Sequence, residues 1–188
     1  MSALRLVWPA AEYLPSYIAA LERGWSPETQ RPEARFAELE RVARDPERFL
    51  ALLVDREAAG PPIRLPDGTF VPRLPGYRKW MWDGEFSGSI SLRWQPGTTD
   101  LPPHCLGHIG YSVVPWKRRL GYATRALALL LPDARELGLP FVEITTDEDN
   151  VASQRVITTN GGELIERFDW PASHGVSPKL RYRIRLTS

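Results

Sequence analysis

The sequence predicts a single domain of the α/β class with mixed α+β connectivity, a central mixed sheet of about six to seven strands flanked by about four helices. Three observations point there. The 188 residues, 43% hydrophobic and 25% charged, suit one domain with a real core and an ordinary globular balance. Stretches with apolar residues at helical spacing are interleaved with short runs of period two. Residues 106–146 read strand–helix–strand, a unit expected to close as a right-handed parallel crossover.

Taken in order, Leu4 to Trp8 alternates well enough for an opening strand, which Pro9 ends. Ala10 to Arg23 carries Tyr13, Tyr17, Ile18 and Leu21 at helical spacing, and Pro15 falls early enough for its missing N–H to matter little. Pro32 to Ala43 restarts a helix with Phe36, Leu39 and Val42 on one stripe. Glu47 to Asp55 is ambiguous between a helical turn and a strand. Gly60 to Gly76, rich in proline and holding Asp67-Gly68, reads as a loop or irregular hairpin and a candidate lid over an acceptor. Tyr77 to Trp82 and Phe86 to Trp94 flank Asp83-Gly84, the strongest hairpin signal in the chain. Leu106 to Val114 is a strand closed by Pro115. Arg119 to Leu137 is a helix in which Pro132 predicts a kink or a split. Phe141 to Thr146 is a strand, Val151 to Thr159 a helix, and Glu163 to Asp169 and Lys179 to Leu186 are the last two strands.

Lys+Arg 24 against Asp+Glu 23 leaves a net charge of +1, so the global basic signature of a nucleic-acid binder is missing. The single Cys105 excludes an internal disulfide, fits a reducing compartment and leaves no cysteine set for structural zinc. Apolar runs are far too short for a membrane span, and the start of the chain lacks a signal-peptide core; a cytoplasmic protein without membrane attachment is expected.

Chemistry concentrates in Val113-Val114-Pro115-Trp116-Lys117-Arg118-Arg119-Leu120-Gly121-Tyr122-Ala123-Thr124, where a strand gives way to a helix. The first helical turn leaves backbone N–H groups unpaired, and the helix dipole adds positive character. Gly121 and Ala123 permit close approach to that backbone. Lys117, Arg118, Arg119 and Arg125 supply positive charge, with no acid between residues 101 and 132. The combination reads as an anion site suited to a pyrophosphate. Neither a P-loop nor a G-x-G-x-x-G fingerprint is present. Taken alone, the pattern also fits a solvated basic helix start.

Gly107-His108-Ile109-Gly110-Tyr111-Ser112-Val113 before this segment, and Thr145 to Ser153 followed by Asn160-Gly161-Gly162 after it, complete an ordered set. Over residues 85–168 the chain resembles the GNAT N-acetyltransferase superfamily, which binds acetyl-coenzyme A. The resemblance implies a GNAT-like fold, with the sheet splayed at the cofactor site, over one domain spanning 1–188. Residues 1–104 would form the acceptor side and 105–168 the acetyl-CoA-binding core. It implies that the backbone of Ser112, Val113 and Val114 pairs with the pantetheine arm, a nearby N–H polarising the thioester carbonyl. Arg118, Arg119, Leu120, Gly121, Tyr122, Ala123 and Thr124 would cradle the pyrophosphate. Asn150 and Ser153 would make the second contact, near the sulfur. Where the family often carries a thiolate-protonating tyrosine, this chain has Ile157, so either Ser153 or water donates the proton or the thiolate leaves without help.

A base must accept the amine's proton. His108 is the candidate on intrinsic pKa, although a histidine bonded at the sheet surface is the blander alternative. Glu143, Asp147 and Glu85 are further carboxylates nearby. His104 and His108, four apart on a strand without a third ligand, make no metal site, and Cys105 reads as structural. Asp147-Glu148-Asp149 either complements the following helix or attracts a cationic amine. Trp80 and Trp82 share a strand face and read as packing ahead of acceptor-pocket walls.

The expected activity is transfer of acetyl from acetyl-CoA to a primary amine, of a small molecule or of a protein, by direct attack in a ternary complex, without a metal. Two rivals are a non-catalytic acyl-CoA-binding module or sensor and, behind it, a nucleic-acid-associated protein using the 117–125 patch. Dimers are common among such families, so a homodimer is among the expectations, although no interface is legible.

Overall fold

The computed structural model describes residues 3–29, 31–65, 67–172 and 175–186. Five strands form the first sheet: β1 (Arg5–Val7), β2 (Val54–Asp55), β5 (Gly76–Trp82), β6 (Phe86–Arg93) and β7 (Ile109–Val113). Its order is β1-β5-β6-β7, with β2 sharing with β1 the outer edge of β5. A second sheet runs β8 (Phe141–Asp147), β10 (Gly175–Arg185) and β9 (Glu163–Ala172). A small hairpin, β3 (Ile63–Arg64) with β4 (Phe70–Val71), stands apart. Every ladder among the described residues is antiparallel. The expected parallel crossover therefore takes another form: its two strands, β7 and β8, lie in different hydrogen-bonded sheets.

Two apolar layers hold the sheets. On one face α4 (Tyr122–Glu136) and α5 (Val151–Thr159) cover a core that includes Met81, Ile90, Leu127, Leu130, Ile144 and Ile157. On the other face α1 (Leu14–Glu22), α2 (Ala34–Arg44) and α3 (Pro46–Leu52) bury Tyr17, Leu21, Trp25, Phe49, Trp80 and Phe86. Alternation along β5 explains the division: Met81 faces one layer and Trp80 the other. Trp80 is fully buried and stacks on Tyr17 at 4.6 Å, and Trp82 packs against the same cluster, so both tryptophans serve packing.

Local chemistry accounts for the element ends. The ambiguous stretch before Asp55 resolves into both options, a helix and then a short strand. Asp45 caps α3 by accepting from the Arg48 N–H at 2.9 Å, with Pro46 at the first position. Helix α4 runs unbroken through Pro132, so the expected split does not occur. The carbonyl deprived of a partner is that of Ala128, which is solvent-exposed, so water satisfies it. The same helix begins at Tyr122 rather than at Arg119 because Arg119 (φ 62°) and Gly121 (φ 75°) adopt left-handed backbone conformations.

The proline-rich stretch after Gly60 forms the β3–β4 hairpin; Pro66 within it lies outside the described residues. Its root is held near the Gly76 end of β5, where Arg73 approaches Asp55 at 3.6 Å and Asp55 opposes Gly76. The Asp83 end of β5 is about 20 Å away along the strand. At that far end Asp83 bonds to Lys117 and Tyr122.

Candidate active site

Among the described residues, strand β7 has a ladder partner on one side only. Towards β6, His108 O accepts from Arg93 N–H at 2.9 Å and Val114 N–H donates to Ser87 O at 3.1 Å, in a register without shifts. Hydrogen-bonded residues alternate along an antiparallel ladder. Even-numbered residues of β7 thus bond to β6, and the N–H and C=O groups of Tyr111 and Val113 point the other way. On that side the chain meets β8 only at its root. His108 N–H donates to Glu143 O at 2.8 Å, and Glu143 N–H donates to His108 Nδ1 at 3.0 Å. The Thr145 hydroxyl donates to Leu106 O at 2.5 Å. Beyond this root no ladder joins the strands among the described residues, and the sheet splits.

At the open end of the split the chain turns through a short 3-10 segment, Pro115–Lys117, into α4. The helix opens on Gly121, which has no side chain to cap it, and among the described residues the leading amides of Tyr122, Ala123 and Thr124 have no partner. A Cβ built on Gly121 would meet nothing within 4 Å, so the turn faces open space. Arg118, Arg119 and Arg125 are exposed. Lys117 is not part of this free charge: its Nζ lies 2.6 Å from Asp83 and 2.8 Å from Glu85. Uncapped amides, an open glycine turn and three exposed arginines together fit a phosphate-bearing carrier.

The facing wall is the first turn of α5. Asn150 caps it, its Oδ1 accepting from Ser153 N–H at 3.1 Å. Ser153 Oγ lies 2.8 Å from the hydroxyl of Tyr111, which reaches across the split from β7. Burial raises the Tyr111 phenol to about 12, so it stays protonated at ordinary pH. Ile157, one turn further, is wholly buried in the core. The sequence assigns Tyr111 no role, because helical and strand spacing gives no hint of a bond spanning 42 positions.

His108 does not stand where a base could work. It is 1% exposed, its Nδ1 lone pair is taken by the Glu143 amide, and its other nitrogen faces the backbone of Thr99. Burial holds its pKa below the ordinary value despite nearby Glu143. The ring is a neutral clamp at the root of the split. The three candidate carboxylates are engaged as well. Glu143 pairs with Arg183 at 2.6 Å, Glu85 with Lys117, and Asp147 with Lys179 and Ser177. Glu148 binds Arg167 through two bonds of 2.6 and 3.0 Å. The acidic run after β8 is therefore largely neutralised, although Asp147, Glu148 and Asp149 still line a cavity of about 250 Å³ with Ser177 and Pro178.

On the opposite face Trp25, from the segment between α1 and α2, donates its Nε1–H to Ser112 Oγ at 3.1 Å. Trp25, Ser26, Thr29, Ser112, Pro115 and Arg118 border a cavity of about 150 Å³. Ser112 thus offers its side chain to the α1–α3 layer, while Val113 and Tyr111 offer theirs to the α4–α5 layer.

A split sheet with a bare strand edge thus leads into an uncapped helix start. Residues 67–163, more than half of the chain, match the family described as the acetyltransferase (GNAT) domain. The chain belongs to the GNAT acetyltransferase family, and with it the fold class expected from the sequence is established. Among solved structures it is similar to RimL, the ribosomal L7/L12 α-N-protein acetyltransferase in complex with coenzyme A. That match has 13% identity, covers 98% of this chain and 95% of that one, and has a TM-score of 0.64. The microcin C7 self-immunity acetyltransferase MccE, in complex with acetyl-CoA and AMP, aligns with 14% identity over 97% and 92% of the two chains (TM-score 0.59). A putative acetyltransferase, yncA from Salmonella typhimurium with its cofactor acetyl-CoA, aligns with 15% identity over 99% and 95% (TM-score 0.54). At these identities the likeness concerns the fold. No curated protein matches the sequence significantly. Among the described residues no helix is long and apolar enough to cross a membrane.

Proposed function

We propose that this acetyltransferase moves acetyl from acetyl-CoA to a primary amine, of a small molecule or a protein, by direct attack in a ternary complex. The observation that carries the reading is the unpaired edge of β7 running straight into the uncapped start of α4. Bound there, acetyl-CoA supplies a thioester carbonyl to which an amine adds, forming the C–N bond as the C–S bond breaks. The amides of the turn from Arg118 to Thr124, with the exposed arginines, hold the diphosphate. Val113 and Tyr111 present backbone N–H groups to the split, where one stabilises negative charge on the carbonyl oxygen. Ser112 and Val114 keep this edge in place through β6 and Trp25. Asn150 fixes the first turn of α5, and Ser153 there hands its proton to the departing sulfur as its oxygen takes one back from water. The Tyr111 and Ser153 hydroxyls share a hydrogen bond; with the phenol as its donor, the serine proton is left to the split. With His108 and the nearby carboxylates engaged, the amine's proton leaves through water.

On this reading residues 105–168 carry the coenzyme, and residues 1–104 supply the acceptor side together with two supports, Trp25 and Asp83, that reach the carrier half. The acceptor meets the thioester from the α1–α2 face, beside the cavity bordered by Trp25 and Ser112. Both substrates held together make attack effectively intramolecular. Thiol release from acetyl-CoA, measured across a panel of small amines and peptide N-termini, tests the function. Amine-dependent turnover is expected; tight coenzyme binding with no turnover across the panel would identify a binding module instead, and nucleic-acid binding that acetyl-CoA does not displace would favour the basic-patch rival.

A further inference from the structure

Asp83 sits at the tip of the β5–β6 hairpin, and its carboxylate is 8% exposed. Its Oδ1 accepts from Lys117 Nζ at 2.6 Å and from the Ser87 hydroxyl at 3.0 Å; its Oδ2 accepts from the Tyr122 hydroxyl at 2.6 Å. Lys117 and Tyr122 are the residues immediately before and after the turn Arg118–Gly121. One carboxylate therefore grips both ends of that turn. Within it, Arg119 holds a left-handed backbone (φ 62°) that a residue with a Cβ adopts only when its surroundings impose it. No other contact among those described ties both ends of the turn to a single group. Burial opposes the charge on Asp83, but the bonds from Lys117, Tyr122 and Ser87 outweigh it and hold the carboxyl at about 2, so the grip persists at any working pH.

We propose that Asp83 is a positioning residue for coenzyme binding: through Lys117 and Tyr122 it pre-forms the turn that receives the diphosphate. This rests on the coenzyme seat proposed above. Pre-forming the turn removes an ordering cost that would otherwise fall on binding. Keeping Lys117 turned inward also leaves the arginines as the charges offered to phosphate.

The test is calorimetric binding of coenzyme A to the full-length protein and to two variants, with steady-state kinetics alongside. Asp83→Asn is expected to weaken coenzyme A binding about tenfold, the loss falling on KM for acetyl-CoA more than on turnover at saturation. Tyr122→Phe removes one bond and no charge, and is expected to weaken binding about threefold. Should Asp83→Asn fail to fold, Tyr122→Phe decides alone. Unchanged affinity in the folded variants, or tighter binding once Lys117 is released, overturns the role of Asp83 and leaves the coenzyme seat standing. A wild-type protein that binds no coenzyme A refutes the seat itself.

Discussion

A histidine on the strand bordering the split has the intrinsic pKa a general base needs, yet at His108 the bonds made by each nitrogen decide otherwise. Type and position were legible in the sequence; the amide of Glu143 filling its lone pair was not, because that contact joins residues 35 positions apart. Two outcomes follow. Replacing His108 by Ala is expected to leave the lower limb of the pH–rate profile where it is; a profile flattened in the variant would restore the base. The folded ring also resists protonation, so its pKa lies below the ordinary 6.5. The unfolded chain then takes up the extra proton first. The stabilisation is complete above about 6.5 and lost as pH falls through the folded value. Denaturant titrations from about pH 7 down to about pH 5 should show falling stability, with a shallower slope in His108→Asn. An equal slope in both would mean the ring titrates normally. For Ser153 and Tyr111, Ser153→Ala should lower kcat about tenfold or more, and Tyr111→Phe by a smaller factor. Because one acts through the other, the double variant should fall little below Ser153→Ala; additive losses would separate the two residues.

Helices α1, α2, α4 and α5, the central hairpin and the last two strands could be read from spacing and turn residues, whereas α3 could not. What escaped the reading was set by contacts between elements. Arg119 looked like the first residue of α4, whereas its left-handed backbone puts it in the turn. Pro132 looked like a break, but the carbonyl it orphans lies on an exposed face. Gly121 stands where a side chain would be strained (φ 75°) and would project into the open seat. Gly121→Glu should weaken coenzyme A binding more than a hundredfold, about 3 kcal/mol, with the fold retained by circular dichroism; near-normal affinity would place the diphosphate elsewhere. Gly88 acts from the neighbouring strand. A Cβ there would meet Ser112 O at 2.4 Å and Val113 Cα at 2.9 Å. Gly88→Ala should therefore lose about 2 kcal/mol of stability and weaken coenzyme binding by displacing β7. Stability unchanged in a denaturant titration would show that β6 yields instead.

Across the whole molecule, two apolar layers on opposite faces hold β7 from both sides while leaving one backbone edge bare. Composition and periodicity reveal such layers, and the ordered motifs from Gly107 to Gly162 revealed the family. They do not reveal how the first half of the chain supports the second. Trp25 bonds to Ser112 over 87 positions and Asp83 to Lys117 over 34, both from a region that reads only as helices and a hairpin. On the proposed reading the acceptor approaches here, where the segment between α1 and α2 borders the cavity beside Ser112. All of it presupposes that a diphosphate-bearing carrier lies along β7. A crystal structure of the protein grown with coenzyme A tests this most directly. The diphosphate should rest on the amides from Arg118 to Thr124, with the pantetheine arm bonded to Val113 and Tyr111 and the sulfur beside Ser153. Coenzyme A bound outside the split, or a split closed by β7 pairing with β8, would contradict the account.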